Sequence, residues 1–127
     1  MKPTIKTDTW PNGQKKYEAP YVNGQRHGLS TWWHENGQKW REIPYINNQR
    51  HGIANWWHKN GHKRCEIPYV NGQVHGVVTW RHSNGSLKYF EKWHQGQWAW
   101  EMSFSSQEQI PEDAEVELFF HETPKFT

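Results

Sequence analysis

The sequence predicts an all-β protein: an elongated, single twisted antiparallel sheet of tandem β-hairpins with a C-terminal capping segment. Three observations predict it. Asn-Gly pairs recur every 24 residues, further turn signals share that period, and β-forming residues fill the segments between turns. The Asn-Gly pairs stand at 12–13, 36–37, 60–61 and 84–85. We expect roughly nine or ten strands, each adjacent to its neighbours in sequence, spanning about 40–45 Å.

Each 24-residue period contains two turns and two strands. Asn-Gly supplies positive φ at both central positions of a type I′ turn, so we expect the tightest turn there. The second turn, Asn23–Gly28 in the first repeat, is longer and contains two glycines. Segments such as Lys15–Val22 and Leu29–Glu35 have the length and composition of strands. Because proline cannot donate to a sheet, Pro20 and its equivalents predict a bulge or strand end just before the second turn.

These repeated residues resemble the variant MORN (membrane occupation and recognition nexus) repeat, the bacterial and phage subtype. The pattern appears in Trp33–Lys39, Glu42 and Tyr45–Gly52, and again over Trp57–Gly76. The resemblance covers about residues 10–100. It implies stacked hairpins in one sheet and a scaffold for protein interaction, with antitoxin-like relatives, but no single fixed function.

The composition indicates an aromatic core and a cytoplasmic location. Aliphatic residues are scarce, whereas there are ten Trp, five Tyr and five Phe, which carry large apolar areas. The single cysteine, Cys65, leaves no intrachain disulfide. No apolar run follows Met1 as in a signal peptide, and no stretch approaches the ~20 apolar residues of a membrane span.

The charges divide the chain into two predicted regions. Residues 1–100 hold 14 Lys or Arg against 6 Asp or Glu, and residues 101–127 hold 1 against 7. Two interpretations stay open: an acidic end segment that offsets a basic sheet, and a basic surface that meets an anionic partner. We expect repeats over residues 1–104 and an acidic capping segment over 105–127.

Within the acidic segment, alternation over Ala114–His121 predicts one more strand after a loop at Ser105–Gln109. A short helix beginning at Pro111 is the alternative. Either element would cover the end of the sheet, whose edge otherwise exposes unpaired backbone groups.

No pattern predicts catalysis, a metal or a cofactor. Equivalent residues stand two strands apart, about 9.6 Å, whereas zinc needs nitrogens at about 2.0–2.1 Å. His34 and His58 therefore cannot share an ion through the repeat alone. The repeated glutamate (Glu18 in the first repeat) lies too far from its equivalents for typical acid/base pairs, and more ordinarily pairs with Lys or Arg across strands. We expect a non-enzymatic protein.

Strand alternation places two tryptophan rows on opposite faces of the sheet. The resemblance puts the buried row at Trp33 and Trp57, with Leu29 and Ile53 beside it. The row at Trp32 is then the more exposed one and the better candidate for binding. The predicted binding residues are Trp32, Trp56, Trp80, Trp40, Arg64, Lys16, His34 and His58. The opposing interpretation, that these tryptophans only pack on each other and on a covering segment, stays open.

We expect this surface to bind a macromolecule, with a protein as the favoured partner and an inhibitor, antitoxin-like or phage anti-defence role. The alternative is capture of an anionic small ligand such as a nucleotide, because tryptophan stacks on bases and arginine contacts phosphate. Edge strands also offer a route to homo-oligomers.

Overall fold

A computed structural model describes residues 2–103, and these residues contain strands and turns without any helix. Val, Ile, Thr, Tyr and Trp in alternation give the strands their β preference. The strands are β1 (Thr4–Thr9), β2 (Lys15–Val22), β3 (Gln25–Arg26), β4 (Gly28–Trp33), β5 (Lys39–Ile46), β6 (Gln49–Arg50), β7 (Gly52–Trp57), β8 (Lys63–Val70), β9 (Gln73–Val74), β10 (Gly76–Arg81), β11 (Leu87–His94) and β12 (Gln97–Ser103).

All the strands join one open antiparallel sheet, as the sequence predicted. Nine of them follow one another in the order β1-β2-β4-β5-β7-β8-β10-β11-β12, and the two-residue strands β3, β6 and β9 pair with β2, β5 and β8. The pairing repeats with the sequence period: Thr31 faces Glu42, and Asn55 faces Glu66. The predicted loop, strand or helix of residues 105–127 lies outside the described residues.

The turns at the Asn-Gly pairs are not type I′, so that prediction is wrong. The Gly13 N–H donates to the Trp10 carbonyl at 2.9 Å, which makes Pro11 and Asn12 the two central residues. Gly13 has a φ of 87°, whereas Asn12 does not have positive φ. This geometry is a type I turn followed by a left-handed glycine, the usual three-residue hairpin loop. Pro11 suits it because proline favours the first central position of a type I turn.

The asparagine of this turn links neighbouring repeats. The Asn12 Oδ1 accepts the Gln14 N–H at 2.9 Å, and the Asn12 Nδ2 donates to the Glu35 carbonyl at 2.9 Å in the next turn. Asn60 repeats both bonds, with the His62 N–H and the Ser83 carbonyl. The residue is therefore required for its side chain, which satisfies backbone groups of two loops.

Within residues 2–103, the type I′ geometry occurs instead at the second turn of each repeat. Asn23 and Gly24 have φ values of 53° and 78°, and the flanking Val22 and Gln25 pair with each other. Positive φ at both central residues of a two-residue loop is the type I′ arrangement. Each such turn also bonds to the preceding one: the Asn48 N–H donates to the Arg26 carbonyl at 2.9 Å.

The repeated proline lies inside its strand, and the interruption falls on the partner strand. Pro20 belongs to β2, whereas the partner breaks between Arg26 and Gly28. The Pro20 carbonyl accepts the His27 N–H at 3.1 Å. Gly28 has a φ of 113°, and a Cβ placed there would lie 2.8 Å from the Pro20 Cγ. Glycine is thus required both by the backbone and by contact with the proline ring.

The better-buried side of the sheet is the one that carries Trp32, Trp56 and Trp80, here called the Trp32 face. Ile43, Tyr45 and Ala54 form its core cluster, with Trp32 and Trp56 packed against it. The small buried residues Ala19, Ser30 and Ala54 make room for large rings above them. Trp32 and Trp56 are therefore half-buried and do not form a fully exposed row.

The opposite side, here called the Leu29 face, was predicted to be the buried one, and that prediction is wrong. Leu29 is 45% exposed and Ile53 is 56% exposed. Each lies opposite a proline, Leu29 facing Pro44 and Ile53 facing Pro68. The repeat pattern could not distinguish the faces, because both carry a tryptophan and an aliphatic residue in each period.

Candidate binding face

The side chains of three equivalent tryptophans form the central row of the candidate site. Trp32, Trp56 and Trp80 lie on β4, β7 and β10, where register repeats bring them to the same face. On the strand that follows each of them, the residue paired with the tryptophan differs in chemistry. These paired residues are Arg41, Cys65 and Tyr89. The tryptophan row is thus continuous, but its neighbours vary from repeat to repeat.

A β-bulge in each repeat turns an additional side chain toward the Trp32 face. Trp32 pairs with Arg41 and Trp33 pairs with Lys39, which leaves Trp40 as the extra residue. The ring centroids of Trp40 and Trp32 are 6.5 Å apart. Arg64 occupies the same place in the next repeat. The bulge therefore explains why residues next to each other in sequence reach one surface.

The structure brings some of the predicted residues together and separates others. Arg64 lines a groove with Trp56 and Trp80. Lys16 instead lies over the Trp10 ring, with its Nζ 4.8 Å from the centroid.

The two predicted histidines lie at the ends of strands, next to the Asn-Gly turns. The His34 ring lies 6.2 Å from that of Trp40, and its Nε2 is buried without a hydrogen-bond partner. The His58 Nε2 is 3.0 Å from the Arg81 carbonyl, so this nitrogen carries the proton and donates. His34 thus remains beside the site, whereas His58 connects two repeats.

Sequence reasoning missed three arginines on the Trp32 face. Arg26 and Arg50 follow the type I′ turns, and Arg41 lies in the middle of β5. The Arg26 Nε donates to the Tyr21 hydroxyl at 3.1 Å, and an Arg50 NH1 donates to the Tyr69 hydroxyl at 2.9 Å. The signal was available for two of them, because Arg26 and Arg50 are 24 residues apart and each follows a repeated tyrosine by five.

Arg41 lies between two tryptophan rings. Its Cζ is 3.9 Å from the Trp32 centroid and 4.8 Å from the Trp40 centroid, which is cation–π geometry. Its Nε is buried and has no hydrogen-bond partner. Burial lowers the pKa of Arg41, and the neighbouring charges of Arg50 and Arg26 lower it further.

Ion pairing differs sharply between the faces. Within residues 2–103, the ion pairs are Lys15–Glu18, Lys39–Glu42 and Lys63–Glu66, and their glutamates lie on the Leu29 face. None of the three arginines takes part in an ion pair in this part of the chain. The three arginines of the Trp32 face therefore have no carboxylate partner among residues 2–103.

A groove of about 260 Å³ continues this surface, lined by Trp56, Arg64, Cys65, Ile67 and Trp80. Its walls are mostly apolar, with one guanidinium at the rim. Burial raises the pKa of the Cys65 thiol to about 11, so the thiol is neutral near pH 7 and behaves as an apolar wall.

Neither a metal set nor a membrane helix is found in the described range. Among residues 2–103, no three potential ligands from His, Cys, Asp and Glu gather at one point. The same residues include no helix long and apolar enough to cross a membrane. The repeated glutamates are each next to a lysine.

Comparison with known proteins points to the repeat family. A family model described as the MORN repeat variant matches residues 10–23, 26–47 and 50–71. No curated protein and no solved structure matches the chain. The matched segments coincide with the stacked hairpins that carry Trp32, Arg41 and Trp56. The chain is therefore a β-hairpin repeat protein in which three consecutive segments match the model of the MORN repeat variant.

Proposed function

We propose that this protein is a non-enzymatic scaffold that binds a protein partner through its Trp32 face. The single observation that carries the proposal is the combination, on that face, of a half-exposed tryptophan row with three arginines that have no ion-pair partner in residues 2–103. Tryptophan and arginine dominate binding hot spots. The groove beside Trp56 gives such a partner an apolar pocket next to a charged rim.

The proposal includes an inhibitor or antitoxin-like role, or a phage anti-defence role, in the cytoplasm. A sheet that holds its binding groups in place before contact suits inhibition by steric masking. The free thiol of Cys65 suits a reducing compartment.

A second candidate function is capture of a small anionic ligand such as a nucleotide. The observation that favours it is Arg41, whose guanidinium lies over the rings of Trp32 and Trp40. Stacking rings beside a guanidinium can hold a base and a phosphate. Titration with ATP, followed by tryptophan fluorescence, tests this alternative.

Affinity capture with the full chain as bait, from its native host, tests the protein-binding function. Trp56→Ala and Arg64→Ala should each abolish retention of the partner that the unmodified chain retains. Because Trp56 contacts the core, its variant must be compared at equal folded fraction, whereas Arg64 is exposed and should leave folding intact.

The matched control lies on the opposite face. Ile53→Ser removes an exposed apolar side chain from the same strand, β7, and should leave capture unchanged. Loss of capture with Ile53→Ser, together with retention by Arg64→Ala, would place the partner on the Leu29 face and overturn the proposal.

A further inference from the structure

The three arginines of the Trp32 face lie close enough to influence one another. The Tyr45 hydroxyl accepts a hydrogen bond from an Arg26 NH1 at 3.4 Å, and the same hydroxyl interacts with Arg50. Arg41 stands on the same strand and face as Tyr45, and the charges of Arg26 and Arg50 both act on it. Arg26 and Arg50 thus meet at Tyr45, and Arg41 lies on the same strand and face as this tyrosine; the three arginines are here called the arginine cluster.

Among residues 2–103, this cluster has no ion-pair partner. Like charges repel in a partly buried setting, where solvent screens them less than in water. The Arg41 Nε is buried with no acceptor, which leaves a desolvated donor unsatisfied. The tyrosine hydroxyls and rings that surround the arginines are neutral and offset only part of this cost. An oxyanion placed among the three side chains would supply both the charge and the acceptor.

The arginine cluster adjoins the apolar groove. Arg41 on β5 is the direct cross-strand partner of Trp56 on β7, and Trp56 is a wall of the groove with Ile67 and Trp80. A single extended segment could therefore place an anionic group at the arginines and an apolar side chain in the groove. Adjacent residues of one peptide supply that combination.

The charge pattern favours a short acidic segment over a long polyanion. At the Trp80 wall of the groove, the Glu91 Oε1 accepts the Trp80 Nε1–H at 2.7 Å, and Glu91 faces Glu101 across the strands. A nucleic acid strand that continued along the face would meet these carboxylates and be repelled. An acidic segment that ends in an apolar residue would not.

We propose that the arginine cluster binds carboxylates of an acidic segment in the partner protein, and that the groove of Trp56, Ile67 and Trp80 binds an apolar side chain that follows them. This inference rests on the proposed function, because it names the partner chemistry for the same face. It assigns charge recognition to Arg26, Arg41 and Arg50 and apolar recognition to the groove.

Fluorescence anisotropy with labelled peptides tests the inference. The probe is a fluorescein-labelled peptide of four glutamates followed by leucine and phenylalanine. One comparison peptide replaces the glutamates by glutamines, and another replaces the two apolar residues by alanines. The unmodified chain should bind the probe at least about tenfold more tightly than either comparison peptide, since each loses at least one hot-spot contact.

Charge-matched double variants locate the binding site. Arg26→Gln with Arg50→Gln should weaken binding of the probe about tenfold or more, because two charge-assisted hydrogen-bond donors are lost. Lys39→Gln with Lys63→Gln removes the same amount of charge from two lysines that form ion pairs outside the cluster. This double variant should weaken binding of the probe less than about twofold. If the arginine variant fails to fold, Arg26→Lys with Arg50→Lys keeps the charge and should still weaken binding through lost fork geometry.

Equal affinity for the glutamate and glutamine peptides would overturn the inference, as would equal effects of the two double variants. Tighter binding of a single-stranded thymidine oligonucleotide than of the probe would also overturn it, in favour of nucleic acid. If the peptides fail in this way while Arg64→Ala still loses the captured partner, the proposed function stands and only the acidic-segment assignment falls.

Discussion

The contact between a glycine and the proline ring of the neighbouring strand gives the sharpest test of the repeat geometry. Gly28→Ala would place a Cβ 2.8 Å from the Pro20 Cγ at a φ of 113°. The positive φ costs about 1–3 kcal/mol, and relief of the clash by shifting the rigid ring costs about 1–3 kcal/mol more. We expect the free energy of unfolding to fall by the sum of the two contributions.

Gly61→Ala separates these contributions. Gly61 has a φ of 92°, but no heavy atom lies within 4 Å of a Cβ placed there. This variant should show the backbone cost alone, and should therefore be about 1–3 kcal/mol less destabilised than Gly28→Ala. Urea unfolding followed by tryptophan fluorescence measures both, since unfolding exposes the half-buried rings.

A double-mutant cycle with Pro20→Ala completes the test, because removal of the ring should relieve the contact with Ala at position 28. We expect a favourable coupling energy of about 1 kcal/mol or more between the two changes, as for residues in direct contact. Equal destabilisation by Gly28→Ala and Gly61→Ala, with no coupling to Pro20→Ala, would refute the proposed packing of glycine against proline.

Three further predictions concern the turns, the buried thiol and the tryptophan row. Asn60→Ala removes the hydrogen bonds to the His62 N–H and the Ser83 carbonyl, and should lower the free energy of unfolding by about 0.5–1.5 kcal/mol for each bond. Asn60→Asp retains the acceptor and should recover part of this loss in the same urea assay. Burial raises the pKa of Cys65 from 9.0 to about 11, so the thiol should react slowly with an aromatic disulfide reagent at pH 8 until urea unfolds the chain. Above pH 9.0 the thiol of the unfolded chain ionises while the folded thiol keeps its proton, so the free energy of unfolding should fall as the pH rises from 9.0 through about 11. Cys65→Ala should lack that pH dependence. Trp56→Ala should lower the free energy of unfolding through lost core contacts, but by less than the about 3–5 kcal/mol of a fully buried tryptophan. A free energy of unfolding equal to that of Ile53→Ser would contradict the packing of Trp56 against Ile43 and Ala54.

The turns show how local patterns alone can mislead. Both turns of a repeat contain Asn-Gly in the first copy, at 12–13 and at 23–24, and the sequence assigned the type I′ geometry to the wrong one. Pro11 carried the corrective signal, since its fixed φ suits the first central position of a type I turn. Val22 and Gln25 gave the complementary signal, because strand residues flank a two-residue loop directly.

The arrangement of the site depended on features with no period in the sequence. The bulge that brings Trp40 to Trp32 becomes visible only in the register of β4 and β5. Arg41 has Tyr17 and Cys65 as its equivalents, so no repeated residue marks it as part of the arginine cluster. Its position over Trp32 arises from pairing between strands.

By itself, the sequence determined the 24-residue period, the positions of the strands and their antiparallel succession. These properties follow from local chemistry: glycine and asparagine permit turns, and β-branched and aromatic residues favour the extended segments between them. Only the tertiary structure decided which face is buried and which arginines meet. Burial depends on how the small residues Ala19, Ser30 and Ala54 admit large rings from neighbouring strands, and that fit is a property of the assembled sheet.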